Sequence, residues 1–282
     1  MDAVPQRSSP TVRRRELGAL LRGYREARRL TALQAAEAIE VSPSMISRLE
    51  NAQRQPVIIY VRELCRLYEL DEPTTERLVR MARESREEGW WQRYDLESPT
   101  ATYLSLEAAA TQIRAFENYA FPGLLQTREY AEVVVQTLRG YLPDEQITQT
   151  IDSRVARQKI LAGDGAVQFH AIVGETALNQ QVGGAEVMAA QIRNVLVACE
   201  RPNVTVQILE FSVGAHPAMD GPFTVMSFAE EHMGPVVYAE GPLGQIFQDS
   251  AAEVDRRLEV FTALSELAAS PDVSQSLLRA RL

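Results

Sequence analysis

The sequence predicts an α+β protein: an all-α N-terminal domain of about five helices, then a helical layer joined to a small mixed α/β unit of about four strands. Three observations carry that reading. Apolar residues recur at helical spacing, with Leu17, Leu20, Leu21 and Tyr24 forming one stripe and Val61, Leu64, Cys65 and Tyr68 another. Between them, Thr31–Pro56 holds two helix-start signals in quick succession. Far downstream the period changes, and Val167–Val173 (VQFHAIV) reads as a strand.

Taken in order, residues 1–12 are polar, contain two prolines and show no periodicity, so they are read as a disordered arm. The helical domain is drawn at residues 13–84. It opens on Arg13, Arg14 and Arg15, with Arg22, Arg25, Arg28 and Arg29 further along its first helix. Each is a candidate phosphate contact, against the plainer reading of a solvated helix face in which Glu16 and Glu26 are interspersed. Thr31 and Gln34 form a capping box for the next helix, and Ala35, Ala36 and Ile39 give it a low surface that another helix can cross closely. Ser42 is read as the N-cap of that crossing helix and Pro43 as its first residue, where a missing N–H costs nothing. Ile46 and Leu49 then face inward, while Ser44, Ser47 and Arg48 share the outward side, and Arg54 follows in the loop beyond. A tight crossing, a firm cap and an outward face of small polar and basic groups are what a helix-turn-helix needs.

The same run resembles the DNA-binding domain of Xre/Cro-type repressors. The matching residues are Thr31, Ala35, Ala36, Val41, Ser42, Ser44, Ile46, Ser47, Glu50 and Pro56. Glu40 and Ala52 stand where that pattern has glycines, and Ala32 where many relatives have a glutamine that touches a phosphate. The resemblance implies a recognition helix, Pro43–Glu50, entering the major groove of double-stranded DNA.

Residues 85–100 (SREEGWWQRYDLESPT) break the helical pattern and are read as a linker in which Trp90 and Trp91 either dock the segment onto its own domain or lid a pocket. A C-terminal domain, 101–282, follows, helical over 101–162 and α/β over 163–282. Leu106, Ala109, Ala110 and Ile113 are placed on one helix ending near Tyr119. The Pro122–Gly123 turn opens another helix carrying Leu125, Tyr130, Val133 and Val134, and a third runs from Pro143 to Leu161 with Arg154 and Arg157 on it. After the strand at Val167–Val173 come a helical turn at Glu175–Gln180, a helix at Ala185–Cys199 and a strand at Val204–Leu209. That unit implies parallel strands. Phe223–Phe228 and Val236–Glu240 are read as two antiparallel strands, Ser250–Ala269 as a long closing helix, and residues 271–282 as a short helix or frayed end.

This half has its own resemblance. ENYAFPGLLQTREYA (Glu117–Ala131), Arg154-x-x-Arg157-Gln158, GETAL (Gly174–Leu178), VGG (Val182–Gly184), Met188-x-x-Gln191, PNVTVQIL (Pro202–Leu209) and GAHP (Gly214–Pro217) are similar to a large actinomycete group of WhiJ-like regulators, in which an Xre-type head is fused to a C-terminal domain of unassigned function. The resemblance implies transcription control, and a small BldB-like partner protein in an arrangement compared with antitoxin–toxin pairs.

Charge is divided unevenly. Residues 1–66 carry twelve arginines against seven acids, whereas the whole chain has a formal net charge of −9. A basic head on an acidic body suits a module that attracts phosphates. No apolar run approaches the roughly 20 residues that span a bilayer, so no membrane association is expected, and a reducing cytoplasm, close to the nucleoid, is the expected compartment. Cys65 and Cys199 are expected to be buried thiols. Chemistry is sparse. Lys159 is the only lysine and sits on an amphipathic helix, which argues against a Ser–Lys self-cleavage dyad; His170, His216 and His232 show no metal spacing, and no phosphate-loop glycine pattern occurs. His216, near Asp220, is either a pocket or pH-responsive group or a turn residue. No catalytic residues, cofactor or metal are therefore assigned. The expectation is a dimeric, sequence-specific DNA-binding regulator in which Ser44, Ser47 and Arg48 read bases, Arg13, Arg14, Arg15, Ser42 and Arg54 contact the backbone, and the C-terminal domain binds an effector or partner. The alternative is an antitoxin-like protein that sequesters a small partner and only autoregulates through DNA.

Overall fold

The computed structural model describes residues 9–86, 94, 98–229, 233–241 and 243–282. The chain divides into two compact units, a head over the described residues up to 86 and a body over 94–228 and 234–282. Trp90, Trp91 and His232 lie outside the described residues, as does most of the expected linker.

The head is all helical: α1 (Pro10–Ala27), α2 (Ala32–Ala38), α3 (Pro43–Glu50), α4 (Ile58–Leu67) and α5 (Glu72–Glu84). Helix α1 begins three residues earlier than expected. Ser9 caps it, accepting from the Val12 N–H at 3.2 Å, and Pro10 fills the first turn. Residues 10–12 are thus helix rather than arm. Ser-Pro is the same start signal as Ser42-Pro43, and it operates again at Ser270-Pro271. The Thr31–Gln34 capping box forms in both directions, at 3.2 and 2.9 Å. The predicted stripes are the core: Leu17, Leu21, Ala35, Ala36, Ile46, Val61, Cys65 and Tyr68 are fully buried, and Leu78, Val79 and Ala82 of α5 close it.

The body corrects the sequence reading in its first third. Helix α6 (Ser98–Ala109) stops well short of Tyr119, and Gln112–Glu117 is a strand, β1. Its even positions face one side and its odd positions the other, and both faces of the sheet are covered. That produces a mixed pattern rather than a clean alternation. Helices α7 (Arg128–Arg139) and α8 (Asp144–Ala156) follow, then β2 (Gln168–Gly174), α9 (Glu175–Asn179), α10 (Ala185–Cys199), β3 (Val204–Leu209), β4 (Phe223–Ser227), β5 (Val236–Gly241), β6 (Gly244–Gln248), α11 (Ala251–Leu267) and α12 (Pro271–Arg279). Six strands form among the described residues where about four were expected, so the α+β class stands and the strand count rises.

The sheet order is β3-β2-β1-β4-β5-β6. Strands β1, β2 and β3 are parallel, and β4, β5 and β6 continue antiparallel from the other side of β1. On one face Phe116, Ile172, Phe223, Val225 and Val237 pack against Val254, Phe261 and Leu264 of α11. Each such apolar side chain contributes roughly 1.5–3 kcal/mol through burial. Helix α12 guards the β3 edge: Ser274 Oγ accepts from the Ile208 N–H at 2.9 Å, and the Ile208 carbonyl accepts from the Ala269 N–H at 2.9 Å. The opposite sheet face is not packed solid, and that is where the body becomes chemically interesting.

Candidate DNA-reading helix and a cavity in the body

In the head, α2 and α3 form the helix-turn-helix. Ile46 and Leu49 anchor α3 in the core, which turns Ser44, Ser47 and Arg48 outward, all three exposed. Gly18 on α1 makes the close approach possible, since a Cβ there would sit 2.5 Å from the Glu50 carbonyl oxygen. Glu50 is buried and takes a bidentate bond from Arg25, at 2.7 and 2.9 Å, clamping the end of α3 to α1. Glu40 and Ala52, which replace the glycines of the resembling pattern, both adopt left-handed backbone, with φ of 57° and 56°.

The outward face is a chain of polar contacts. Arg48 donates from Nε to the Ser44 carbonyl at 3.1 Å and from Nη2 to Ser44 Oγ at 3.0 Å. Ser42 occupies the N-cap position as expected, but its side chain makes no capping bond and pairs instead with Ser44 Oγ at 3.1 Å. Beside them Asn51 donates to Ser47 Oγ at 3.4 Å and accepts from Arg22, so Arg22 and Asn51 extend the same surface. Arg54 is exposed beyond the helix. The other arginines divide. Arg25 and Arg28 are structural, the latter donating to the Tyr68 carbonyl at 2.8 Å and pairing with Glu69. Arg13 is ion-paired with Glu84 at 3.2 Å and Glu16 at 3.8 Å. Arg14 is half-buried, and burial with the adjacent Arg15 charge holds its pKa below the ordinary value.

In the body, the sheet face opposite α11 borders a cavity of about 230 Å³. Ile113, Ala115 and Glu117, alternate residues of β1, line its floor with Phe169, Thr224, Tyr238 and Glu240; α6, α7, α8 and the loop Phe121–Gln126 enclose it. Three of the motifs behind the second resemblance, Glu117–Ala131, Arg154-x-x-Arg157-Gln158 and Met188-x-x-Gln191, meet here. Gln158 donates to the Gly123 and Gln126 carbonyls at 3.2 and 2.6 Å, and Gln191 donates to the Leu125 carbonyl at 2.7 Å and accepts from the Thr127 N–H at 2.8 Å. Gly123 lies so close to Arg157 that a Cβ there would overlap its Nη2. These bonds shape the FPGLLQT loop as a wall.

A polar belt runs around that wall. Arg157 pairs with Glu107 at 3.2 Å and lies 5.3 Å from the Tyr103 ring; Tyr103 donates to Glu107 at 2.8 Å. The Tyr103 and Tyr238 rings are 4.4 Å apart, Tyr238 donates to Glu240 at 2.8 Å, and Arg139 pairs with Glu240 at 3.3 Å. Burial disfavours the Arg157 charge, but Glu107 together with Tyr103 and Tyr238 outweighs it and holds the guanidinium pKa above its ordinary value. Two charged groups are left over. Among the described residues Arg154 donates only to the neutral Gln126 side chain, at 3.0 Å, and burial with the nearby Arg157 charge pushes its pKa down to about 10. Glu117 has no hydrogen bond or ion pair among the described residues, and burial pushes its carboxyl up to about 7 against the weaker opposing pull of Arg154. Sequence reasoning placed Glu117 and Arg154 inside the quoted strings but gave neither a role, because β1 had been read as helix.

Elsewhere the described residues hold no cluster of three His, Cys, Asp or Glu side chains fit for a metal. His170 is a core residue, bonded to Gln207 at 2.7 Å and set edge-on to Phe261. His216 lies edge-on to Phe116 and accepts from the Ala218 N–H at 3.3 Å, while Asp220 pairs with Arg257 instead. Cys65 is buried and Cys199 half-buried, both free thiols, and burial raises the pKa of each. No helix among the described residues is long and apolar enough to cross a membrane.

The head therefore belongs to the helix-turn-helix class: a family model described as a helix-turn-helix domain matches residues 16–78, which supports DNA binding and transcription regulation. A second model, described as a domain of unknown function (DUF5753), matches residues 100–280, most of the chain, and the protein belongs to that family. No curated protein and no solved structure matches the chain.

Proposed function

We propose that the protein is a sequence-specific transcription regulator that binds double-stranded DNA as a homodimer, acts on the chromosome in the cytoplasm, and carries in its body a site for an effector. The observation behind this reading is the two-sidedness of α3: Ile46 and Leu49 are buried while Ser44, Ser47 and Arg48 stand exposed on one polar strip. The major groove admits an α-helix, and the small side chains on this strip let the helix axis approach the bases. Arg48 is the principal reader, with its fork directed at guanine O6 and N7; its present bonds to Ser44 are exposed and cost little to exchange. Ser42, Arg54 and the Arg13–Arg15 cluster contact the backbone, with Arg13 shared with Glu84. Dimerisation follows from the small footprint of one such head and from paired half-sites.

The test is quantitative DNA binding to the protein's own promoter region. Arg48→Ala is expected to lose about 1–3 kcal/mol of discrimination at one base pair and to relax preference there, with the melting transition unchanged. Full affinity with unaltered base preference would remove Arg48 from the reading set.

A further inference from the structure

Six ionisable side chains with formal charge line the cavity of the body: Glu107, Glu117, Glu240, Arg139, Arg154 and Arg157. Four of them are matched within the protein, as Arg157 with Glu107 and Arg139 with Glu240. The remaining two, Arg154 and Glu117, are of opposite sign and sense each other's charge, yet form no ion pair among the described residues. Both are half-buried, and leaving one charge of each sign without an ion-pair partner among the described residues costs stability that the Arg154–Gln126 bond offsets only in part. A second feature lies at the acidic end. Gln245 stands directly across from Glu240 in the β5–β6 register, and its Oε1 is a buried acceptor with no hydrogen-bond partner among the described residues. Glu117, Glu240 and Gln245 thus bring acceptors to the cavity, Glu240 already accepting from Arg139 and Tyr238, and Arg154 brings donors. The same cavity is also lined by the apolar side chains of Ile113, Phe121, Leu124 and Phe169. The space, about 230 Å³, far exceeds the roughly 10–15 Å³ that one water needs.

We propose that this cavity binds a small zwitterion, an α-amino acid with an apolar side chain, whose carboxylate is held by Arg154 and whose ammonium is held by Glu117 with Glu240 and Gln245. A carboxylate against the planar Arg154 guanidinium gains two parallel hydrogen bonds. An ammonium has only donors to give, and the Glu117 carboxylate and Gln245 Oε1 are acceptors without a hydrogen-bond partner among the described residues. A monoanion leaves Glu117 unmatched and a simple amine leaves Arg154 unmatched, so neither completes the site. The apolar lining receives the side chain. This proposal rests on reading the body as a ligand-binding unit and is independent of DNA contact by the head.

Glu117 also supplies a signature that a merely structural residue lacks. Around it stand Arg154, Arg157, Glu240 and Tyr130. In the empty site its carboxyl holds a proton over much of the neutral range; an ammonium placed beside it drives that proton off. Binding near pH 6 therefore releases protons, which calorimetry detects as a heat that varies with the ionisation enthalpy of the buffer.

The experiment is titration calorimetry and thermal shift on the full chain without DNA. The probes are leucine, methionine and phenylalanine, each beside its deaminated acid and its amide. At least one amino acid is expected to bind saturably at millimolar concentration or below, with proton release, and its deaminated acid and amide to bind at least about tenfold more weakly. Glu117→Gln is expected to keep the fold, abolish the proton release and remove the preference for the amino acid over its deaminated acid. Arg154→Met is expected to remove the preference over the amide. Absence of binding by all three amino acids to folded protein overturns the proposal, and so does equal binding of an amino acid and its deaminated acid to the unsubstituted chain. Because DNA is not in the assay, failure here leaves the Arg48 result untouched, and the converse also holds.

Discussion

Single residues in this protein show where local stability has been given up. Glu117 is an acid whose pKa lies near 7 in the folded state against an ordinary 4.5. Between those values the folded state holds a proton that the unfolded state has released, so stability falls as pH rises through the window and the full cost is present above about pH 7. Glu117→Gln is accordingly expected to stabilise the ligand-free protein by up to about 3 kcal/mol above neutrality and by almost nothing below pH 4.5. Urea unfolding of both proteins across that range measures the difference; a gain that does not change with pH would contradict the assigned titration. Glu40 and Ala52 carry a different cost, left-handed backbone without glycine. Replacing either with glycine removes a strain of roughly 1–2 kcal/mol and restores some unfolded-state entropy, leaving a net gain of about 0.5–1 kcal/mol. Chemical denaturation of the two variants provides the check.

At the scale of elements, the position of α3 is set by its underside. The Gly18 Cα faces the last carbonyls of α3, which belong to backbone and cannot rotate away. Gly18→Ala is expected to cost about 1–3 kcal/mol through overpacking and to weaken DNA binding beyond that loss by displacing the reading helix. Affinity measured well below the melting temperature separates the two effects. The Arg25–Glu50 clamp acts at the same joint. Its carboxylate is 4% exposed and its guanidinium 11%, so Glu50→Ala strands a buried charge, and a loss of about 3–5 kcal/mol is expected in denaturant titrations. Strand β1 shows why an element can be misread. Leu106, Ala109, Ala110 and Ile113 have true helical spacing, but the helix ends at Ala109 and Ile113 lies on a strand. A central strand covered on both faces lacks alternation, so its sequence carries little sign of its partners.

For the molecule as a whole, the charge division bears directly on DNA binding. Seventeen of the 29 basic residues follow position 66, together with 31 of the 38 acids, so the positive field belongs to the head. Affinity for DNA is expected to fall steeply with salt, and removal of one phosphate contact by Arg54→Ala to reduce the slope of log K against log salt by about 0.9. An unchanged slope would place Arg54 away from the backbone.

The sequence by itself determined the helical head, its caps, the outward set Ser44, Ser47 and Arg48, and most of the helices and strands beyond residue 120. Those features rest on neighbours three or four residues apart, or on alternation within one strand, and such distances are written in the chain. Only the tertiary structure decided that Arg25 and Arg28 are fasteners rather than phosphate contacts, that residues 112–117 pair at the centre of a sheet, and that Glu117 and Arg154 line one cavity. Each depends on which distant segments become neighbours, because a charge is matched or left unmatched by groups that lie far from it in sequence.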